Sequence, residues 1–560
     1  MRRALNVTVW CLAVGYIVAV ILSGLVQPVA VFDEPIPWVG AMQFQRGLAP
    51  HTGFWSTYPP LAYWLLAAVF SMLGETAVAA RLLGVAFFLV FLGAVAVFTA
   101  RNYPPADWRV PYATLLGALG AGPLFIYAFG LGLSACLCSV LVYFILSGTH
   151  HGRRPALYLI PGLMLAGTML LRINFGAYAA FAILLDLILT GEKKRAGFIV
   201  GPMILALLLY LLPYGGAMAE VIHQIVTVPQ VVFTKTRFIP LPDSPLYYAL
   251  IALPPAWFAL RTSTLQRWRL SLLAPIGAAA AVCVASYLSR SNGALLPGIF
   301  LLDVSIVIVF DRYLFRLHRL ERGILILFGL FIHYFLWRAD EWHLRPLLAI
   351  AGLLLPFVLL SFSRISPVFF LLMLVPIAGV FWRLHAFRPH VSSIASTLEL
   401  MRRGELLDRT SDSARFLGAE PDALRPEWQR LYPDSDELSA LRYVYRRTRK
   451  DDCVYVGAPD HSNVFVGNIR AYWLLQRCVG VRMHILEPGV STELRAQAEM
   501  AGDLHRKRVR WLILAPAEKG DDAFRRNSIR GAALLDAAIA RNYRVAATFG
   551  GYSVLGANGF

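Results

Sequence analysis

The chain has 560 residues, 58% of them hydrophobic and 15% charged, and a mean hydropathy of +0.59. Soluble domains carry about 25% charged residues, so this balance and the repeated long apolar runs exclude an ordinary soluble enzyme and point to a polytopic α-helical membrane protein. The net charge of +18 is not tied to any nucleic-acid motif. Lys and Arg instead sit in short connections between apolar runs, as the positive-inside rule expects.

The amino terminus, Met-Arg-Arg, leads into an apolar run to about Ala30. That run is longer than a signal-peptide core, and no A-x-A cleavage site follows it. It reads as a retained first helix with its amino end in the cytoplasm. The next stretch, VFDEPIPWVGAMQFQRGLAPHTGFWSTYPP (31–60), opens on Asp33-Glu34 and is expected on the outer side. Residues 60–74 are short for a span and aromatic, and predict a helix lying against the outer face. Basic clusters at 101–109, 150–154, 192–195, 261–269 and 312–322 and at Arg364 fix the remaining topology. Spans are predicted over 7–29, 78–100, 110–129, 131–147, 156–171, 174–190, 197–213, 245–261, 271–288, 295–310, 323–337, 346–361 and 367–384. That is about thirteen helices, with the amino end inside and the carboxyl end outside.

Composition changes near residue 388. Residues 1–387 form the membrane part, with the outer loop 31–77, and residues 388–560 a soluble α/β domain expected outside the cytoplasm. Strand-like runs at 453–457, 510–515 and 543–550 alternate with helical stretches at 434–449, 492–506 and 529–541. Cys11, Cys136, Cys138 and Cys283 lie in apolar runs and read as core. Cys453 and Cys478 lie in the polar tail, where they can pair if it is extracytoplasmic. No Cys/His set has zinc spacing.

This topology gathers Asp33, Glu34, Arg172, Asn174, Lys235, Arg237, Arg290, Arg338, Asp340, Glu341 and His343 on the outer face. Arg and Lys are disfavoured there, so several on different loops suggest an anion site. Each also has a plainer reading: the acids as helix caps, Arg172 as a snorkelling helix end, and Arg338 in a surface ion pair. Lys235 and Arg237 can simply be solvated, and His343 alone is weak.

The acidic pair, the R-G-x-x-x-H run and YPPLAYWLLAAVFSMLGETAVAARLLG together resemble the GT-C membrane glycosyltransferases. The similarity is to the branch of protein O-mannosyltransferases and aminoarabinose–lipid A transferases. In the tail, VGNIRAYWLLQR, MHILEPGVST, RNSIRGAALLDAAIARNY and FGGY resemble an outer domain carried by a bacterial subset of such enzymes. The resemblance implies a polyprenyl-phosphate-linked sugar as donor, inverting transfer of a hexosyl or pentosyl group on the extracytoplasmic side, and a place in the bacterial inner membrane. The acceptor is a lipid, a glycan or a protein, and no nucleic acid is involved. One departure is plain: many members carry a second acid between helices 3 and 4, whereas AFGLGLS (128–134) here has none.

Transfer from a lipid phosphate needs a base for the acceptor hydroxyl and positive charge for the departing phosphate. Asp33 is the expected base, with Glu34 orienting it or, if a divalent metal binds, sharing that metal. Arg172 and Arg338 are first choices for the phosphate, followed by Lys235, Arg237, Arg290 and His343. Trp38, Trp55 and Tyr58 can stack on sugar or mark the membrane interface, Asp340 or Glu341 can stand in for the missing acid, and Asp340 is also a candidate substrate contact. Rival readings are a flippase or transporter of lipid-linked sugars and a non-catalytic assembly protein.

Overall fold

A computed structural model describes residues 2–102, 109–122, 126–147, 154–233, 319–337, 346–347, 349–350, 353, 390–420, 423–464, 467–516 and 530–559. The first apolar run forms α1 (Arg2–Leu25). The chain then turns into α2 (Pro35–Gln45), where prolines occupy the first turn at no hydrogen-bond cost because those N–H groups lack helical partners anyway. Residues 31–60 are therefore not all loop: α2 is buried from Pro35 to Gln43.

The short apolar helix expected near 60–74 is α3 (Leu61–Leu73), which starts directly after Pro59-Pro60. It ends at Gly74, whose φ is +90°, and a Cβ there would lie 2.6 Å from the Arg409 carbonyl oxygen. Only glycine meets both demands. α4 (Ala77–Asn102) follows at once. Its first N–H, on Ala77, donates to Asp412 Oδ2 at 2.9 Å, so an acid from the distant tail caps a membrane helix.

The hairpin predicted at 110–147 is α5 (Arg109–Ala121) and α6 (Ala128–Ser147). α6 begins earlier than expected, so 128–134 belongs to it. The 122–127 segment, GPLFIY, also lacks an acid. α7 (Leu159–Leu171) and α8 (Ile173–Leu189) are separated by Arg172 alone, in extended conformation at φ −157°. Asp186, inside α8, accepts a hydrogen bond from Tyr143 of α6 at 2.6 Å. α9 (Ala196–Leu211) leads through a 3₁₀ turn to α10 (Met218–Ile222) and a π-helical segment, His223–Val232. The expected outer loop 214–244 is therefore helical over 218–232. α11 (Arg319–Trp337) packs Phe331 on Phe175 of α8, with ring centroids 5.1 Å apart.

Among the described residues, four helical stretches are long and apolar enough to cross a membrane: Asn6–Leu25, Ala77–Arg101, Phe129–Ser147 and Lys193–Pro229. Shorter apolar helices cover Leu61–Leu73, Val110–Leu119, Pro155–Leu171 and Ile173–Leu189. The spans predicted over 245–261, 271–288, 295–310 and 367–384, and most of 346–361, lie outside the described residues.

The tail begins with α12 (Val391–Arg402), whose Thr397 hydroxyl donates to the Leu22 carbonyl of α1 at 2.7 Å. Beyond it lie α13 (Ser435–Tyr445), β1 (Cys453–Gly457), α14 (Ile469–Leu475), β2 (Cys478–Val479), α15 (Leu494–Arg506), β3 (Trp511–Leu514), α16 (Leu534–Asn542), β4 (Tyr543–Phe549) and β5 (Tyr552–Ala557). The sheet order is β2-β1-β3-β5-β4. β1 runs parallel to β2 and β3, while β5 is antiparallel to β3 and β4. Cys453 and Cys478 face each other across β1 and β2 and form a disulfide.

The segment 26–60 is held between the two parts. Val29 N donates to Leu431 O and Arg470 N to Val31 O, each at 2.9 Å. Arg470 Nη1 adds a bond to Val29 O at 2.8 Å, and its guanidinium pairs with buried Glu437. Trp38 of α2 meets Trp473 of α14 edge-on at 5.2 Å. Among the described residues, one large core joins buried apolar residues of the helices with those of the tail, and a small separate cluster holds Tyr210, Val221 and Ile225.

Candidate active site

The adjacent acids just before α2 point into different surroundings. Glu34 is sealed with Arg81 of α4, both side chains at 0% exposure. Arg81 Nε donates to Glu34 Oε1 at 2.6 Å and Nη2 to Oε2 at 3.0 Å. The remaining Arg81 donors reach the Leu25 and Gln27 carbonyls at 3.1 and 2.8 Å, and Ala30 N donates to Glu34 Oε2 at 3.1 Å. Two ions leave water here, and the site is tolerable only because nearly every donor and lone pair finds a partner. Arg81 went unpredicted, although a cation inside an apolar run is the pattern that signals a buried partner.

Asp33 is partly exposed and lies within electrostatic reach of Arg172. Arg172 sits in the one-residue break between α7 and α8, so its side chain leaves both helix ends at once. Its guanidinium is ringed by Phe175, Tyr58 and Phe129, at 5.0, 5.4 and 5.4 Å from the ring centroids. Ring faces attract a cation at such distances. Arg172 Nη2 also donates to the hydroxyl of Tyr334, on α11, at 3.1 Å. The close passage of α6 beside this arginine depends on Gly132, where a Cβ would stand 3.0 Å from Arg172 Cβ. Arg172 thus meets Asp33 and Tyr58, the two ends of the 31–60 stretch, and Tyr334 joins them unpredicted. Asn174 lies in the first turn of α8.

Trp55 and Trp38 are each only 2% exposed, and Trp38 packs on Trp473 of the tail. Trp55 N donates to the Arg482 carbonyl of the tail at 3.0 Å. Lys235, Arg237, Arg290, Arg338, Asp340, Glu341 and His343 lie outside the described residues.

A second polar cluster surrounds His51, which is fully buried. Its Nδ1 faces Ser56 O at 3.0 Å and Gln224 Oε1 at 3.2 Å, and its Nε2 faces the Tyr210 hydroxyl. Burial pushes its pKa down to about 4, against the upward pull of the Gln224 and Ser56 hydrogen bonds, so it is neutral at pH 7. His484 of the tail, also buried, is lowered to about 4 for the same reason. Among the described residues no group of three or more His, Cys, Asp and Glu is placed to hold a metal ion. Glu34 in particular faces a guanidinium, and a cation shared with Asp33 would face it too.

No family model and no curated protein matches the chain. Solved structures do. ArnT from Cupriavidus metallidurans, bound to undecaprenyl phosphate, superposes with a TM-score of 0.52 at 12% identity, covering 97% of each chain. Its apo form gives 0.53 at 12% identity, over 98% of this chain and 97% of ArnT. The chain has the ArnT fold. A looser match, AglB from Archaeoglobus fulgidus in complex with an inhibitory peptide and a dolichol-phosphate, has a TM-score of 0.40 at 11% identity, over 91% of this chain and 69% of that one. The ArnT superposition runs through both the membrane helices and the tail, so the pairing of these two parts belongs to the fold.

Proposed function

We propose that this protein is a membrane glycosyltransferase that moves a sugar from a polyprenyl-phosphate donor to an acceptor hydroxyl on the extracytoplasmic face, with inversion. The observation that carries this reading is the convergence of Asp33, just before α2, and Tyr58, just before α3, on Arg172, where α7 meets α8. ArnT, whose fold the chain shares, is seen with undecaprenyl phosphate bound, and that supports a lipid phosphate as the donor's leaving group.

In the proposed reaction Asp33 takes the proton of the acceptor hydroxyl. The acceptor oxygen attacks the anomeric carbon from the face opposite the phosphate. The carbon–oxygen bond to phosphate breaks, and its electron pair leaves on the lipid phosphate. Arg172 stabilises that growing charge with directional N–H groups, and the ring faces around it hold the guanidinium plane without neutralising it. Tyr58 lines the same pocket. Arg338, Lys235, Arg237, Arg290 and His343 remain proposed phosphate contacts, and Asp340 a proposed substrate contact. Glu34 acts through Arg81, fixing the turn that presents Asp33. The Cys453–Cys478 disulfide supports an extracytoplasmic tail, because such bonds persist in oxidising compartments.

The test uses the full chain in lipid nanodiscs with a panel of polyprenyl-phosphate sugars and acceptors. Release of free polyprenyl phosphate and a glycosylated acceptor of inverted configuration is expected. Movement of the intact donor across a bilayer without bond cleavage would replace this reading with a flippase.

A further inference from the structure

The segment from His51 to Tyr58 is a strap fastened from two directions, and His51 is where the fastenings meet. The amide of Gln224, in the π-helical segment, can be oriented from its partners. Ser56 N is only a donor and reaches Gln224 Oε1 at 3.1 Å. The His51 carbonyl is only an acceptor and receives Gln224 Nε2 at 3.1 Å. Gln224 Nε2 also donates to Glu220 at 2.7 Å. The oxygen of this amide therefore faces the imidazole, and so does the Ser56 carbonyl. Both groups accept, so His51 Nδ1 carries the proton and Nε2 accepts from Tyr210.

The tail supplies the other fastening. Arg482 Nη1 donates to His51 O at 2.9 Å, while Arg482 O accepts from Trp55 N at 3.0 Å. Arg482 is itself braced by Glu499. His51 has φ +69°, a conformation costly for a residue with a side chain, which persists only where surroundings over-determine it. The far end of the strap is bound to the candidate site: Ser56 Oγ donates to Tyr58 O at 3.1 Å and accepts from Tyr58 N at 3.0 Å, and the Tyr58 ring faces Arg172.

We propose that His51 is a positioning residue: the clamp of His51, Gln224 and Arg482 sets the strap 51–58 and thereby holds Tyr58 against Arg172. The tail domain is then part of the active-site scaffold, and loosening its grip on the strap lowers turnover without weakening donor binding. This inference rests on the reading of Asp33, Tyr58 and Arg172 as the reaction site.

The experiment compares His51→Ala with His51→Asn in the full chain in nanodiscs. Asparagine keeps an amide donor near the Nδ1 position and tolerates positive φ. Turnover is read with a polyprenyl-phosphate sugar that the wild type uses, and amide exchange is read across 51–58. His51→Ala is expected to lower kcat roughly 30- to 100-fold, with donor KM within about threefold and faster exchange at 54–58. His51→Asn is expected to recover to within about fivefold of wild type. Equal losses in the two variants, or wild-type kcat in a folded His51→Ala protein, would overturn the proposal. If His51→Ala does not fold, Arg482→Met replaces it: a loss of about tenfold or more in kcat with faster exchange at 54–58 supports the clamp, and wild-type behaviour overturns it. If the wild type releases lipid phosphate from no donor, the proposed function has failed, and the exchange data alone then judge whether the clamp holds the strap.

Discussion

Two acid–arginine pockets lie one residue apart in this protein and differ in almost every physical respect. Glu34 and Arg81 are sealed from solvent, locked at 2.6 and 3.0 Å, with backbone groups taking up the remaining hydrogen bonds. Asp33 is partly open, and Arg172 opposite it is held by ring faces and a tyrosine hydroxyl. Saturated, dry pairs serve architecture, because any ligand would have to break them at full desolvation cost. A guanidinium oriented by aromatic rings keeps its plane fixed while remaining suited to an anion. Two adjacent acids thus divide into a fastener and, in the proposed reaction, a reagent.

Substitutions break this comparison in different ways. Asp33→Asn should lower transfer by about 10³-fold, within the range for loss of a general base, while the melting temperature in detergent stays put. Glu34→Gln should do the reverse. It leaves Arg81 buried against a neutral partner, costs about 3–5 kcal/mol, and should appear as lost expression or a large drop in melting temperature. A folded, fully stable Glu34→Gln protein would show that the two pockets are not divided as described. Arg172→Lys should keep the charge but lose the directional donors, lowering kcat roughly 10- to 100-fold.

The pH dependence of stability concerns the contact between the strap and the tail. Buried His51 and His484 titrate near 4 in the folded protein and near 6.5 when unfolded. Between those values the unfolded chain binds more protons, so the contribution is complete above about pH 6.5 and is lost as pH falls towards 4. At pH 5 each histidine should cost on the order of 2 kcal/mol. Melting temperature should therefore fall from pH 7 to pH 5, and His51→Asn should remove about half of that slope. The smallest effect is expected of Trp55→Phe. At 2% exposure Trp55 packs rather than binds, so donor KM should stay within about twofold, and a larger rise would return it to the substrate site.

Much of the convergence at Asp33 was legible because charge asymmetry sorts loops into two sides, and Asp33, Tyr58 and Arg172 all fell on one. Their fine division was not. Nothing local separates Asp33 from Glu34, since the partner that captures Glu34 is on another helix. The His51 clamp was hidden for a related reason: residues 214–244 carry Gly, Pro and Gln and read as loop, yet 218–232 is helical and brings Gln224 to His51. In the tail the β-branched runs marked β1, β3 and β4, whereas two-residue β2 is too short for any period and is held in place by its disulfide. β5, YSVLGA, contains Gly556 and follows the Gly550-Gly551 turn, which interrupt the pattern expected of a strand.

The most direct test of the account is lipid-phosphate release by matched Asp33→Asn and wild-type proteins in nanodiscs, both shown to be folded by their melting curves. The account predicts release by the wild type and a loss of about 10³-fold in the variant with an unchanged melting temperature. Equal release by the two folded proteins would contradict it.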